Sequence, residues 1–317
     1  MSSVNVRMAW LTLLGAVNTH GAEVALPFSV ATLACFGARK GMPRSLASVC
    51  AATIARFLPR SIAGLTWRKN VPMKSFGHDV LLAAEKSFFW RTTDVGTLEK
   101  YSVYGARITY INAPHICFQM AHAPGGGGSI AYVSTCGRVC IDNNSSGRVT
   151  MEVAAGCSGI CFAGDDMFVC NVVSGGIHRF QHNGWSVRES EFAVARSPRR
   201  LCALRVDGEP CIAVTEGAAP QRVSVFNAAT GALVACVGER MLKDPFALVF
   251  DDATNSLLVA DFEIGVVMFD MGVRQRRLVF VFSISGAAGL ALHGNTLLVS
   301  KVVKKYDEWL VGVFELR

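Results

Sequence analysis

The residues best suited to chemistry are three oxygen donors, Asn171, Glu216 and Asp261, each closing a short apolar run: Val169-Cys170-Asn171, Val214-Thr215-Glu216 and Val259-Ala260-Asp261. Carboxylate and amide oxygens suit a hard divalent cation such as calcium, which takes about 6–8 oxygen ligands. Turn chemistry is the competing account, because Asn and Asp at a strand end satisfy nearby backbone amides. Thr135 and Lys301 fall at the same place in their own runs, and a lysine facing a cation would repel it. No metal site is assigned on this basis. The acid pairs Asp165-Asp166 and Asp251-Asp252 have the composition of general acid–base groups. Both lie between two apolar runs, where hairpin turns call for such residues. Gly125–Gly128 leads into the strand pattern Ile130-Ala131-Tyr132-Val133, whereas a phosphate cradle leads into a helix with Lys-Ser/Thr. The chain holds no Gly-x-Ser-x-Gly and no His-Glu-x-x-His, and no catalytic constellation emerges.

Basic and aromatic residues form the second group of candidates. Arg196-Ser197-Pro198-Arg199-Arg200, Arg274-Gln275-Arg276-Arg277 and Lys301-Val302-Val303-Lys304-Lys305 each lie near a junction between apolar runs. Such clusters contact phosphates or acidic partners, and they also serve as solvated turns. Arg199, Arg200 and Arg276, with Phe246, are the partner-binding candidates.

A fivefold repeat positions all of these residues. First strands read His115–Phe118, Gly159–Phe162, Leu201–Leu204, Ala247–Phe250 and Gly289–Leu292, and their last residues lie 44, 42, 46 and 42 positions apart. Second strands carry the oxygen donors, and third strands follow at Arg138–Ile141, Gly176–Phe180, Arg222–Phe226, Gly265–Phe269 and Leu310–Phe314. Fourth strands are expected at Arg148–Val153, Trp185–Val194, Ala232–Val237 and Arg277–Ser283. A divergent unit upstream supplies Val80–Ala84, Phe88–Arg91, Leu98–Tyr104 and Arg107–Ile111. Six units of about 40 residues predict an all-β, six-bladed β-propeller over residues 62–317. The last unit lacks an outer strand, and Leu65–Val71 is expected to complete it from the other end of the chain.

The unit Asp244-Pro245-Phe246-Ala247-Leu248-Val249-Phe250-Asp251, followed by Asn255–Asp261 and Val266–Phe269, resembles an NHL repeat. That resemblance implies a scaffold that binds another protein, or less readily RNA, through one propeller face. The related six-bladed propellers that are enzymes give the alternative: a lactonase- or esterase-type hydrolase with a divalent metal on the axis, held here by Asn171, Glu216 and Asp261. Calcium is implied only under that alternative, and no other cofactor is expected. Fold by itself does not choose between the two.

Residues 1–61 have a different texture. The chain carries a net charge of +7, and residues 1–70 hold eight bases against one acid, Glu23, so the excess belongs to this end. Ser45–Leu58 has helical spacing and stops at Pro59, which predicts a basic, mostly helical N-terminal extension. Three readings stay open for it. It has the Arg- and Ser-rich, acid-poor composition of a mitochondrial presequence. Ile54–Pro59 with Trp67-Arg68 resembles an F-box fragment, implying a docking segment. The third reading is a structural cap on the propeller.

Hydrophobic residues make up 51% of the chain and charged residues 17%, a balance that disordered chains do not have. No run reaches the roughly 18–20 apolar residues of a spanning helix, so no transmembrane segment is expected. Eleven cysteines, mostly within apolar runs, read as buried hydrophobes in a reducing compartment. The expectation is an intracellular protein, the cytoplasm ahead of the mitochondrion.

Overall fold

The computed structural model describes residues 65–73, 80–82, 88–93, 96–102, 104, 106–113, 116–124, 129–134, 136–143, 147–181, 190–272, 278–282, 284, 286–303 and 308–316. The helical extension expected over residues 1–61, the Gly125–Gly128 loop and Arg276 lie outside the described residues.

In chain order the strands are β1 (Leu65–Met73), then β2 (Val80–Leu82), β3 (Phe88–Thr92), β4 (Thr97–Ser102) and β5 (Arg107–Asn112) as blade 1. Blade 2 holds β6 (Cys117–His122), β7 (Ile130–Ser134), β8 (Arg138–Asn143) and β9 (Gly147–Glu152). Blade 3 holds β10 (Cys157–Ala163), β11 (Asp166–Asn171), β12 (Gly176–Phe180) and β13 (Ser190–Val194). Blade 4 holds β14 (Pro198–Val206), β15 (Glu209–Glu216), β16 (Arg222–Asn227) and β17 (Leu233–Val237). Blade 5 holds β18 (Pro245–Asp251), β19 (Ser256–Asp261), β20 (Gly265–Asp270) and β21 (Leu278–Phe282). Blade 6 joins β22 (Ala287–His293), β23 (Thr296–Val303) and β24 (Glu308–Leu316) to β1 in the order β1-β24-β23-β22.

The first strand of every blade touches the first strand of the next, from β2 through β6, β10, β14, β18 and β22 and back to β2. This closed circuit is the inner ring of a β-propeller. The second strands β7 and β19 are buried at every residue, and β11 at every residue after Asp166, which explains why they read as continuous apolar runs rather than alternating ones. Each blade is covered on both faces by its neighbours. Among the described residues six apolar clusters fill the seams; one joins Phe89 and Tyr101 of blade 1 to Leu298, Val311 and Val313 of blade 6. Each fully buried aliphatic or aromatic side chain there contributes about 1.5–3 kcal/mol.

Closure follows the expected route. β1 pairs antiparallel with β24, from Leu65 opposite Leu316 to Met73 opposite Trp309, so two distant chain segments share one sheet. Some strand limits differ from expectation. β4 stops at Ser102, leaving Tyr104 in the following turn. β14 and β18 begin at prolines, Pro198 and Pro245, several residues before the aliphatic core of each strand. Proline is tolerated at a strand's first residue, where no ladder hydrogen bond is lost.

Candidate functional site

Antiparallel connectivity puts the first-to-second and third-to-fourth connections of a blade at one edge. The second-to-third turns and the connections between blades lie at the other. At that second edge the inner strands share a device that hydrophobic patterning does not reveal. The pairing of first and second strands shifts register between Cys117 and Gln119, Cys157 and Gly159, Pro198 and Leu201, Pro245 and Leu248, and Ala287 and Gly289. Blades 2–6 therefore carry a β-bulge at one equivalent place. A bulge leaves residues unpaired and re-aims their side chains. The residues released here are Phe118, Ser158, Arg199 with Arg200, Phe246 with Ala247, and Ala288.

Three of the four partner-binding candidates meet on these bulges. The Arg199 guanidinium lies 5.0 Å from the centre of the Phe246 ring and that of Arg200 lies 5.3 Å from it, so two cations of blade 4 stack on one ring of blade 5. Arg200 also lies 5.5 Å from the Phe118 ring of blade 2. Cation–π contacts of this length contribute from about 0.5 to 2 kcal/mol, more where water is excluded. Arg200 is only 2% exposed; its Nη1 donates to the carbonyls of Ser158 and Arg199, each at 3.0 Å. Arg199 is more open, forms an ion pair with Asp244 and donates to the Pro245 carbonyl at 3.2 Å.

Polar side chains hold the bulges to one another. Gln119 reaches from blade 2, its Oε1 accepting from the amides of Ile160 and Leu201 at 3.0 Å and its Nε2 donating to the Leu201 carbonyl at 2.8 Å. Ser158 donates its hydroxyl to the Pro198 carbonyl at 2.9 Å. Thr215 accepts from the Arg200 amide at 3.1 Å and donates to the Phe246 carbonyl at 2.9 Å. Blades 2 to 5 are thereby stitched together under the arginine–phenylalanine cluster. Sequence reasoning missed Phe118, Gln119, Ser158 and Thr215 as parts of this unit, because a bulge is a property of strand pairing.

In the oxygen-donor column, Asp261 and Asn171 behave as the turn account expects, and Glu216 is instead held by side chains of the following strand. Asp261 is fully buried and accepts four backbone amides: Lys243 at 2.7 Å and Asp244 at 2.9 Å on Oδ2, Glu263 and Ile264 at 3.0 Å on Oδ1. Asn171 accepts from Val173 at 2.9 Å and Ser174 at 3.1 Å and donates to the Ala155 carbonyl at 2.8 Å. Glu216 pairs with Arg222 at 3.0 Å and accepts from the Ser224 hydroxyl at 2.6 Å. Each residue is engaged by its own blade or the connection leading into it, and the three share no partner. Among the described residues no group of three or more His, Cys, Asp or Glu side chains is placed to hold a metal ion. Asp261 does have a bearing on the arginine cluster. It fixes the connection that presents Asp244, and Asp244 in turn holds Arg199.

The acid pairs lie at the opposite edge, where each has a local structural partner. Asp166 binds Arg179, with Oδ2 at 3.1 Å from Nε. Asp251 accepts the Ala253 amide at 3.1 Å. Burial pushes the Cys170 thiol up to about 11 and that of Cys202 to about 12, and it raises those of Cys161 and Cys117 as well. These thiols are protonated at neutral pH, unlike the thiolate a nucleophilic cysteine requires. Cys136 is exposed, in the turn after β7.

The sequence matches no known family and no curated protein. Among solved structures the chain is similar to the crystal structure of the WD40 repeats of RRP9, with 13% identity and a TM-score of 0.59. The match covers 80% of this chain and all of that one. At this identity the likeness establishes the β-propeller fold alone and does not single out the NHL pattern. Among the described residues no helix is long and apolar enough to cross a membrane.

Proposed function

We propose that this protein is a non-catalytic interaction scaffold that binds a segment of another protein at the bulged edge of its inner ring. Arg199 and Phe246 are the contact residues in this reading, and Arg200 is the buried cation that holds the Phe246 ring in place. The observation that carries it is the convergence of two arginines and two phenylalanines, from blades 2, 4 and 5, on bulges at one edge. Arginine and large aromatics are the residue types that dominate binding energy at protein interfaces. Exposed Arg196 and Lys243 flank the cluster, which favours a partner segment carrying carboxylates. Residues 62–317 act as the binding module here and residues 1–61 as a separate extension. The NHL character of the repeat belongs to the same proposal and rests on blade 5, where the aspartate of Val259-Ala260-Asp261 ties the turn to the incoming chain.

Affinity purification of the full chain tests the reading. Arg199→Ala with Phe246→Ala should weaken capture of the partner by about 30-fold or more, the scale of an interface hot spot. Arg205→Ala, at the opposite edge beside Gly208, should leave capture unchanged and serves as the folding-neutral control. Equal capture by all three proteins would refute the site. Capture abolished by nuclease would replace the protein partner with RNA.

A further inference from the structure

The outer strand of blade 1 is open to solvent in a way its sequence does not favour. β5 reads Arg-Ile-Thr-Tyr-Ile-Asn, and its first four residues are all exposed. Ile108 is 53% exposed, Tyr110 57%, and Tyr104 in the preceding turn 84%. Large apolar groups at this density mark a contact surface. The surface has a definite side. Tyr110 pairs opposite Glu99, two residues from Tyr101 on the same face of the blade, and Tyr101 packs in the seam toward blade 6. Ile111, on the alternate face, packs toward blade 2 with Leu98.

The outer strand of blade 6 is β1, and residues 1–64 lead directly into it. That segment therefore reaches the propeller at the blade adjoining the exposed surface, on the side that Tyr110 faces. More than half of its residues are apolar, and Ser45–Leu58 carries Leu46, Val49, Cys50, Ile54, Phe57 and Leu58 at helical spacing. The six residues between Leu58 and Leu65 span up to about 20 Å when extended, roughly four strand spacings of about 4.8 Å.

We propose that the Ser45–Leu58 stretch folds back onto blade 1 and covers Tyr104, Ile108 and Tyr110, serving as a cap joined to the propeller through its closing strand. The cap bridges the seam between blade 1 and blade 6, the blade that the non-local β1–β24 pairing completes. It also gives the extension a role within the chain.

Site-specific photocross-linking in the full chain decides the matter. A benzoylphenylalanine replacing Tyr110 should cross-link to peptides from residues 45–64 of the same molecule, with a yield independent of concentration. The same group replacing Leu233, exposed on blade 4, should not reach them. Cross-links between ¹⁴N- and ¹⁵N-labelled copies, increasing with concentration, would assign the surface to a second copy and overturn the cap. An absence of links from position 110 to residues 1–64 would overturn it equally. Hydrogen exchange offers an independent reading: Ile108→Asp with Tyr110→Ser should raise exchange of the 45–58 peptides at least 10-fold while β19 stays protected.

Discussion

Blade 5 closes the turn between its second and third strands with a buried carboxylate, whereas blade 1 closes the equivalent turn with threonine hydroxyls. Asp261 binds two amides inside its turn and two in the connection arriving from blade 4. In blade 1, Thr93 Oγ1 accepts the Thr97 amide at 3.0 Å and lies 2.6 Å from the Thr97 hydroxyl, so these bonds stay within the turn. The carboxylate thus couples one blade to the chain entering it, whereas among the described residues the threonine hydroxyls bond within their own loop. Blade 1 also has the shortest described inner strand, three residues in β2, and an outer strand exposed at five of its six residues.

Substitutions at the two turns should separate these roles. Asp261→Ala orphans four amides and should cost about 3 kcal/mol or more, since bonds to a charged acceptor contribute roughly 1.5–3 kcal/mol each. Asp261→Asn should recover part of the loss, both read from denaturant midpoints. Alkaline pH should produce a smaller effect, centred on the seams of blades 3 to 5, where Cys161 and Cys170 are buried and Cys202 is partly buried. Unfolded thiols ionise from about pH 8.5, while folded Cys170 and Cys202 hold their protons to about 11 and 12. The stabilisation is complete below the unfolded value and is lost as pH rises from about 9 through 11–12. The melting temperature should therefore fall between pH 8 and 10.5, and Cys170→Ala with Cys202→Ala should flatten that fall. Thr93→Val should be mildest, at about 1 kcal/mol. A Thr93→Val loss as large as that of Asp261→Ala would erase the distinction between the blades.

The strands and the closing strand were legible because each depends on local apolar runs bounded by turns, and a repeat multiplies that signal. Even divergent blade 1 showed its four strands to within two residues at each limit. The oxygen-donor column was legible as position, and its turn chemistry followed from residue type. The cluster at the bulges was legible only in fragments. Arg199, Arg200 and Phe246 stood out as basic or aromatic residues near strand junctions, yet nothing in the pattern brought them together. Their meeting depends on register shifts in two separate sheets. Arg200 shows the limit most plainly: a basic run reads as a solvated turn, and here its guanidinium is buried between two rings.

The pairing of β1 with β24 also sets an order of assembly. Blades 1 to 5 can each form from neighbouring hairpins, whereas the sixth must join segments more than two hundred residues apart. Non-local pairing carries a loop-closure cost and slows folding. Until β24 has been synthesised the molecule is an open arc with an unpaired strand at one end, a state with an edge that other strands can add to. Ring closure is thus a late kinetic checkpoint, and substitutions in β1 should lower the yield of folded protein more than they lower its stability once closed.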